Sequence, residues 1–266
     1  MKQLLLICAA VALVGGCHAG NKKMAEEAIA AELAKRKAAE AKKPLTKEEQ
    51  AKVIETAIRK AANKPKGELT EEDLEKVTSL DFNGNNLTEL PKGMEKLTQL
   101  EKLYLGANKL TDVKGLGKFD QLEGLHLNNN QLTDVKDLEK LTQLKHLFLH
   151  NNQLTDVKDL EKLDQLTWLR LDNNQLTDVK GLENLIQLKH LRLVGNQLTD
   201  VKGLEKLDQL SWLHLSNNQL TDVKGLEKLT HLDLLEIFNN PALTKAQIAE
   251  LQKALPKCSI GSNPKK

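Results

Sequence analysis

The segment LKHLFLHNNQLTDV, residues 144–157, returns as LTWLRLDNNQLTDV at 166–179, LKHLRLVGNQLTDV at 188–201 and SWLHLSNNQLTDV at 211–223. The leucines, one asparagine and the LTDV tail stay fixed while the letters between them change. Leu103, Leu125, Leu147, Leu169, Leu191, Leu213 and Leu235 recur with a single 22-residue period, as do Asn108, Asn130, Asn152, Asn174, Asn196, Asn218 and Asn240. A slightly longer first copy holds Leu80, Phe82 and Asn85, which makes eight repeats between residues 79 and 243. A fixed period of this kind overrides any reading of the 266 residues as one or two ordinary domains.

The fixed letters have a physical reason. Alternation in a short strand turns the leucines inward, and the return segment LTDVKGLEKL supplies further inward Leu and Val. One coil cannot bury that face alone, so copies must stack as parallel strands about 4.8 Å apart. The asparagine falls where the chain leaves the strand, and its amide can bond backbone groups that no ladder satisfies. Asp112, Asp134, Asp156, Asp178, Asp200 and Asp222 are expected to start the turn on the back, each near the lysine two residues on. That matched lysine series favours a solvated face over a row of calcium ligands.

The frame L-x-x-L-x-L-x-x-N-x-L is that of the leucine-rich repeat, in a 22-residue form that resembles bacterial internalin-like proteins. The resemblance implies an α/β repeat solenoid, a horseshoe with a parallel concave sheet, closed by a helical N-terminal cap and a C-terminal helical cap. It also implies a protein as the binding partner.

The ends of the chain fit this plan. Leu45-Thr46-Lys47-Glu48-Glu49 and Leu69-Thr70-Glu71-Glu72-Asp73 place a threonine three residues before a carboxylate, and Thr244 stands likewise before Gln247. Helices are therefore expected within an N-terminal cap at 45–78 and within a C-terminal cap and tail at 244–266. Upstream, residues 17–44 are rich in Ala, Glu and Lys and read as a semi-rigid tether. Residues 1–16 have the layout of a secretory signal. Val14-Gly15-Gly16-Cys17 resembles a bacterial lipobox, which implies acylation of Cys17 and a membrane-anchored lipoprotein of the extracytoplasmic envelope, in the outer membrane if the host is diderm. Cys258 is then left without a partner, so no disulfide framework supports the fold.

The changing letters occupy the outward positions of each strand. The first column runs Ser79, Lys102, Gly124, His146, Trp168, His190, Trp212, Leu234. The second runs Asp81, Tyr104, His126, Phe148, Arg170, Arg192, His214, Glu236, and the third Asn83, Gly106, Asn128, His150, Asp172, Val194, Ser216, Phe238. Both tryptophans, the single tyrosine, both repeat arginines and five of the six repeat histidines fall in these columns. Trp, Tyr and Arg are the residues enriched where partners bind most tightly, because they bring area or bidentate bonding at modest entropic cost. Cross-strand packing alone would not favour arginine or one face.

The candidate binding residues are therefore Tyr104, His126, His146, Phe148, His150, Trp168, Arg170, His190, Arg192, Trp212, His214 and Phe238. Trp168 and Trp212 are read as anchors about 10 Å apart with His190 between them. Arg170 and Arg192 stand alongside for carboxylate or aromatic contacts. Five histidines on this face are expected to add positive charge as pH falls through about 6.5. His126, His146 and His150 lack the cysteine or carboxylate that would complete a metal set, so no metal and no cofactor is assigned. A shallow sheet without a nucleophile in a pocket argues against an enzyme. The near-zero net charge of +2, without a basic cluster, argues against nucleic acid. The expected partner of this monomer is a protein, with a glycan or cell-wall ligand and a purely structural spacer as alternatives.

Overall fold

The computed structural model describes residues 45–264. The expected signal segment, the expected acylation of Cys17 and the tether read over 17–44 all fall outside the described residues. Among the described residues, no helix is long and apolar enough to cross a membrane.

Nine three-residue strands form one parallel sheet in sequence order. They are β1 (Ser79–Asp81), β2 (Lys102–Tyr104), β3 (Gly124–His126), β4 (His146–Phe148), β5 (Trp168–Arg170), β6 (His190–Arg192), β7 (Trp212–His214), β8 (Leu234–Glu236) and β9 (Ser259–Gly261). The register aligns each central leucine with the next, Leu147 with Leu169 and Leu169 with Leu191. Each period thus carries the chain through one full coil and back to its starting face. On the return side five coils close with a short 3-10 turn, as at Lys158–Leu160. The return segments take more room than the strands, so the stack bends into a horseshoe with the sheet on its concave side.

The core is a continuous column of leucine. In one coil Leu144, Leu147, Leu149, Leu154, Val157, Leu160 and Leu163 are all buried. Each such side chain contributes about 1.5–3 kcal/mol on leaving water. Between coils the frame asparagines supply the polar fastening: Asn152 Nδ2 donates to Leu127 O at 3.0 Å and to Leu149 O at 2.9 Å, and its Oδ1 accepts from Leu132 N at 3.0 Å. One side chain therefore satisfies backbone groups in its own coil and in the one before it. The aspartates of the LTDV tail are used locally, since Asp178 Oδ1 accepts from Lys180 N at 3.0 Å and Asp222 Oδ1 from Lys224 N at 3.0 Å.

Among the described residues, three α-helices flank the repeats: α1 (Lys47–Ala61), α2 (Glu71–Glu75) and α3 (Lys245–Ala254). All three begin with the reciprocal threonine capping box read from the sequence, at Thr46 with Glu49, Thr70 with Asp73 and Thr244 with Gln247. Helix α1 packs Ile54 and Ile58 into the core, and the α3 segment packs Leu251 and Leu255 there.

Strand β9 lies in the segment read from the sequence as cap and tail. Ile260 takes the leucine position beside Leu235, but later than the repeat period would place it, because α3 lengthens the last return. Ile237 N donates to Gly261 O at 2.8 Å and Ser259 N to Asp233 O at 2.8 Å, which covers the edge of β8.

Candidate functional site

The outward residues of the nine strands form one surface on the concave side. Register alone brings the first and second columns into line, with Trp168 beside His190, His190 beside Trp212 and Arg170 beside Arg192. Six rings make an unbroken stack along it. Ring centres are 4.5 Å apart for Tyr104 and His126, 4.3 Å for His126 and Phe148, 6.0 Å for Phe148 and Trp168, 4.7 Å for Trp168 and His190, and 4.7 Å for His190 and Trp212. The stack changes column between Phe148 and Trp168. It occupies the second column on β2 to β4 and the first on β5 to β7.

That change leaves the second column of β5 and β6 to arginine. Arg170 Nε donates to Asp172 Oδ2 at 3.1 Å, and Arg192 Nε reaches both oxygens of the same carboxylate at 3.2 and 3.1 Å. Asp172 is only 3% exposed and also accepts from Val194 N at 3.3 Å. Sequence reasoning placed Asp172 in the third column without giving it a role. The available signal was that it is the one acidic residue of that column.

The histidines differ from one another. Burial holds His126 and His190 below the ordinary imidazole range, and the partial desolvation of the more open His146 ring moves it the same way. Burial, reinforced by Arg170, lowers His150 to about 4. The expectation of five new charges as pH falls through about 6.5 is therefore corrected, because desolvation disfavours the imidazolium at four of the five. His214 is 7% exposed, and its Nδ1 meets Glu236 Oε2 at 2.6 Å, so its ring offers little free surface. His146 is exposed and outside the ring stack, as is Phe238 at 38% exposure. Phe238 lies over Gly261, where an added Cβ would come within 2.7 Å of its ring.

A cleft of about 150 Å³ opens at the C-terminal end of the stack, lined by Trp168, His190, Arg192, Trp212, His214 and Leu234. Leu234 was not among the residues singled out from the sequence. Trp212 is 44% exposed, and Trp168 Nε1, His150 Nδ1 and His190 Nδ1 are buried without a hydrogen-bond partner among the described residues. Among those residues, no group of three or more His, Cys, Asp or Glu is placed to hold a metal.

The frame and the sheet together define a leucine-rich-repeat fold. A sequence profile described as leucine-rich repeats, two copies per unit, matches residues 75–118, 120–162 and 164–206. The chain is structurally similar to an internalin of Listeria monocytogenes, with a TM-score of 0.65 and 26% identity over 80% of this chain and 70% of that one. It is similar to internalin C2 of the same organism, with a TM-score of 0.61 and 28% identity over 69% of this chain and 91% of that one. A leucine-rich-repeat protein of Leptospira interrogans gives 0.67 and 33% over 72% of this chain and 50% of that one. Comparison with curated protein sequences gives no match.

Proposed function

We propose that this leucine-rich-repeat chain is a lipid-anchored, extracytoplasmic binding module that takes a protein partner along its concave sheet. The observation that carries this reading is the six-ring stack from Tyr104 to Trp212, which ends in a cleft beside a half-exposed tryptophan. Ring stacking across strands stabilises a sheet by about 0.2–1 kcal/mol per pair, so the stack by itself is compatible with packing alone. One further feature favours recognition. Every frame asparagine bonds backbone groups, as Asn174 does to Leu149 O and Leu171 O, whereas the concave surface holds three buried nitrogens without a partner among the described residues. A buried polar nitrogen left unsatisfied, donor or acceptor, costs about 1–3 kcal/mol, so a surface arranged only for stability would not collect them.

The test uses crosslinking capture from the native envelope, comparing the parent with Trp168→Ala, Trp212→Ala, Lys158→Ala and Lys180→Ala. Each tryptophan change should weaken the captured complex at least about tenfold. The two lysine changes, on the return segments, should alter it less than about twofold. Equal binding by folded tryptophan variants would remove the concave face from the interface. Anchoring is tested apart from binding: Cys17→Ser should leave the repeats folded and move the protein from the detergent phase to the soluble fraction.

A further inference from the structure

The two arginines and the aspartate leave a charge that the molecule itself does not balance. Arg170 and Arg192 are register partners on adjacent strands, where like charges ordinarily oppose each other. A single carboxylate, Asp172, joins them through Nε. Two positive groups and one negative leave one positive charge. The next member of the column is His214, and the carboxylate beyond it, Glu236, is already bonded to that imidazole. Among the described residues no hydrogen bond is made by the Nη groups of either arginine, while their side chains remain 30% and 35% exposed.

Geometry fixes what these donors can meet. Anchoring through Nε holds each guanidinium plane, so the remaining N–H groups form a preset fork, the arrangement that matches a carboxylate in bidentate fashion. Asp172 is buried beneath them, so it neutralises part of the charge without occupying the outward side. Arg192 also lines the cleft formed with Trp168, His190 and Trp212. His190 and Arg192 are alternate residues of one strand, a separation of about 6.6 Å. The same spacing separates alternate residues of an extended peptide.

We propose that Arg170 and Arg192, held on Asp172, clamp an Asp or Glu side chain of the partner while an apolar side chain two residues away enters the adjacent cleft. This rests on the concave-face reading and adds to it the chemistry of the bound segment. Asp172 is a positioning residue in this arrangement, and the arginines are the groups that touch the ligand.

The experiment is a selection of random, end-blocked twelve-residue peptides on the folded parent protein, followed by fluorescence titration of the enriched sequences. Enrichment of an acidic residue two positions from an aromatic or large aliphatic residue is expected. Arg170→Gln and Arg192→Gln should each weaken those peptides at least about tenfold, and Arg192→Lys, which keeps the charge but loses the fork, should weaken them about threefold or more. Circular dichroism establishes the fold of each variant; should the glutamine variants unfold, Arg192→Lys with Glu-to-Gln exchange in the peptide carries the comparison.

Peptides that bind with Trp168 and Trp212 dependence but no acidic preference would overturn the clamp and leave the concave reading standing. Enriched peptides indifferent to both tryptophans and to both arginines would overturn the concave reading instead. No enrichment, or arginine-dependent binding of a uronic-acid oligosaccharide in place of any peptide, would reject an acidic protein segment as the occupant.

Discussion

The indole of Trp168 and the imidazole of His190 lie with ring centres 4.7 Å apart, inclined at 51°, although they belong to successive coils of the chain. Protonation of an imidazole so close to an indole quenches its emission, so the pair carries its own reporter. Intrinsic fluorescence should fall on acidification with a midpoint below about 6.5, the direction in which burial moves His190. His190→Leu should remove most of the transition. A midpoint at or above that value would show that the ring is better solvated than its packing indicates.

Asn174 tests the polar fastening of the coils. Asn174→Ala removes bonds to Leu149 O and Leu171 O and the acceptor for Leu154 N, all in buried surroundings. A loss of about 2–4 kcal/mol is expected, since each stranded polar group costs about 1–3 kcal/mol and water relieves part of the sum. Urea unfolding of the purified variant measures it. A loss no larger than an ordinary surface substitution gives, about 0.5 kcal/mol, would mean that the frame asparagine is dispensable.

Two glycines separate backbone strain from crowding. Gly181 and Gly93 both hold positive φ, at 95° and 91°. A Cβ on Gly181 would stand 2.6 Å from Lys158 Cα and Val157 O, while one on Gly93 meets nothing within 4 Å. Gly93→Ala should cost about 1–2 kcal/mol, the strain alone. Gly181→Ala should cost at least about 1 kcal/mol more, because backbone atoms of the neighbouring coil must shift. Equal melting temperatures for the two variants would contradict this ordering.

Stability should decline in mild acid. The folded state holds His126, His146, His150 and His190 neutral below their ordinary range, so on acidification the unfolded chain takes up protons first. Their contribution is complete above the unfolded value of about 6.5 and diminishes as pH falls from there, for His150 down to about 4. Thermal melts at pH 7.5 and 5.0 should differ by several degrees, at about 2–4 °C per kcal/mol for a chain of this size. His150→Gln should flatten the slope, and an unchanged slope would assign the effect to other groups.

Removal of residues 245–266 deletes α3 and β9 together. Ile237 N and Asp233 O then lose the partners that Gly261 O and Ser259 N provide, and the apolar end of the last coil is exposed. Self-association is expected, visible as concentration-dependent sedimentation. A monomeric truncation with the parent melting temperature would show that the last coil closes without them.

The repeats were legible because their signal is local and repeated. Leu147 and Asn152 announce their roles in any one copy, since strand alternation and the turn after it dictate which way each side chain points. The columns of outward residues followed from the same alternation, and Trp168, Arg170 and His190 stand where that alternation puts them. Strand β9 was not legible, because α3 interrupts the period and Ile260 replaces the leucine. Asp172 looked like one more changing letter.

The sequence by itself determined the coil, its period and the face on which variation gathers, because each depends on close neighbours in the chain or on a matching copy one period away. Tertiary structure decided what the varied residues do to one another. That Asp172 lies beneath both arginines, that the ring stack changes column after Phe148, and that His214 turns to Glu236 depend on side chains brought together only when coils stack. The same stacking removes water from the imidazoles and lowers their proton affinity. Desolvation and cross-coil pairing are properties of the assembled surface, and no single repeat contains them.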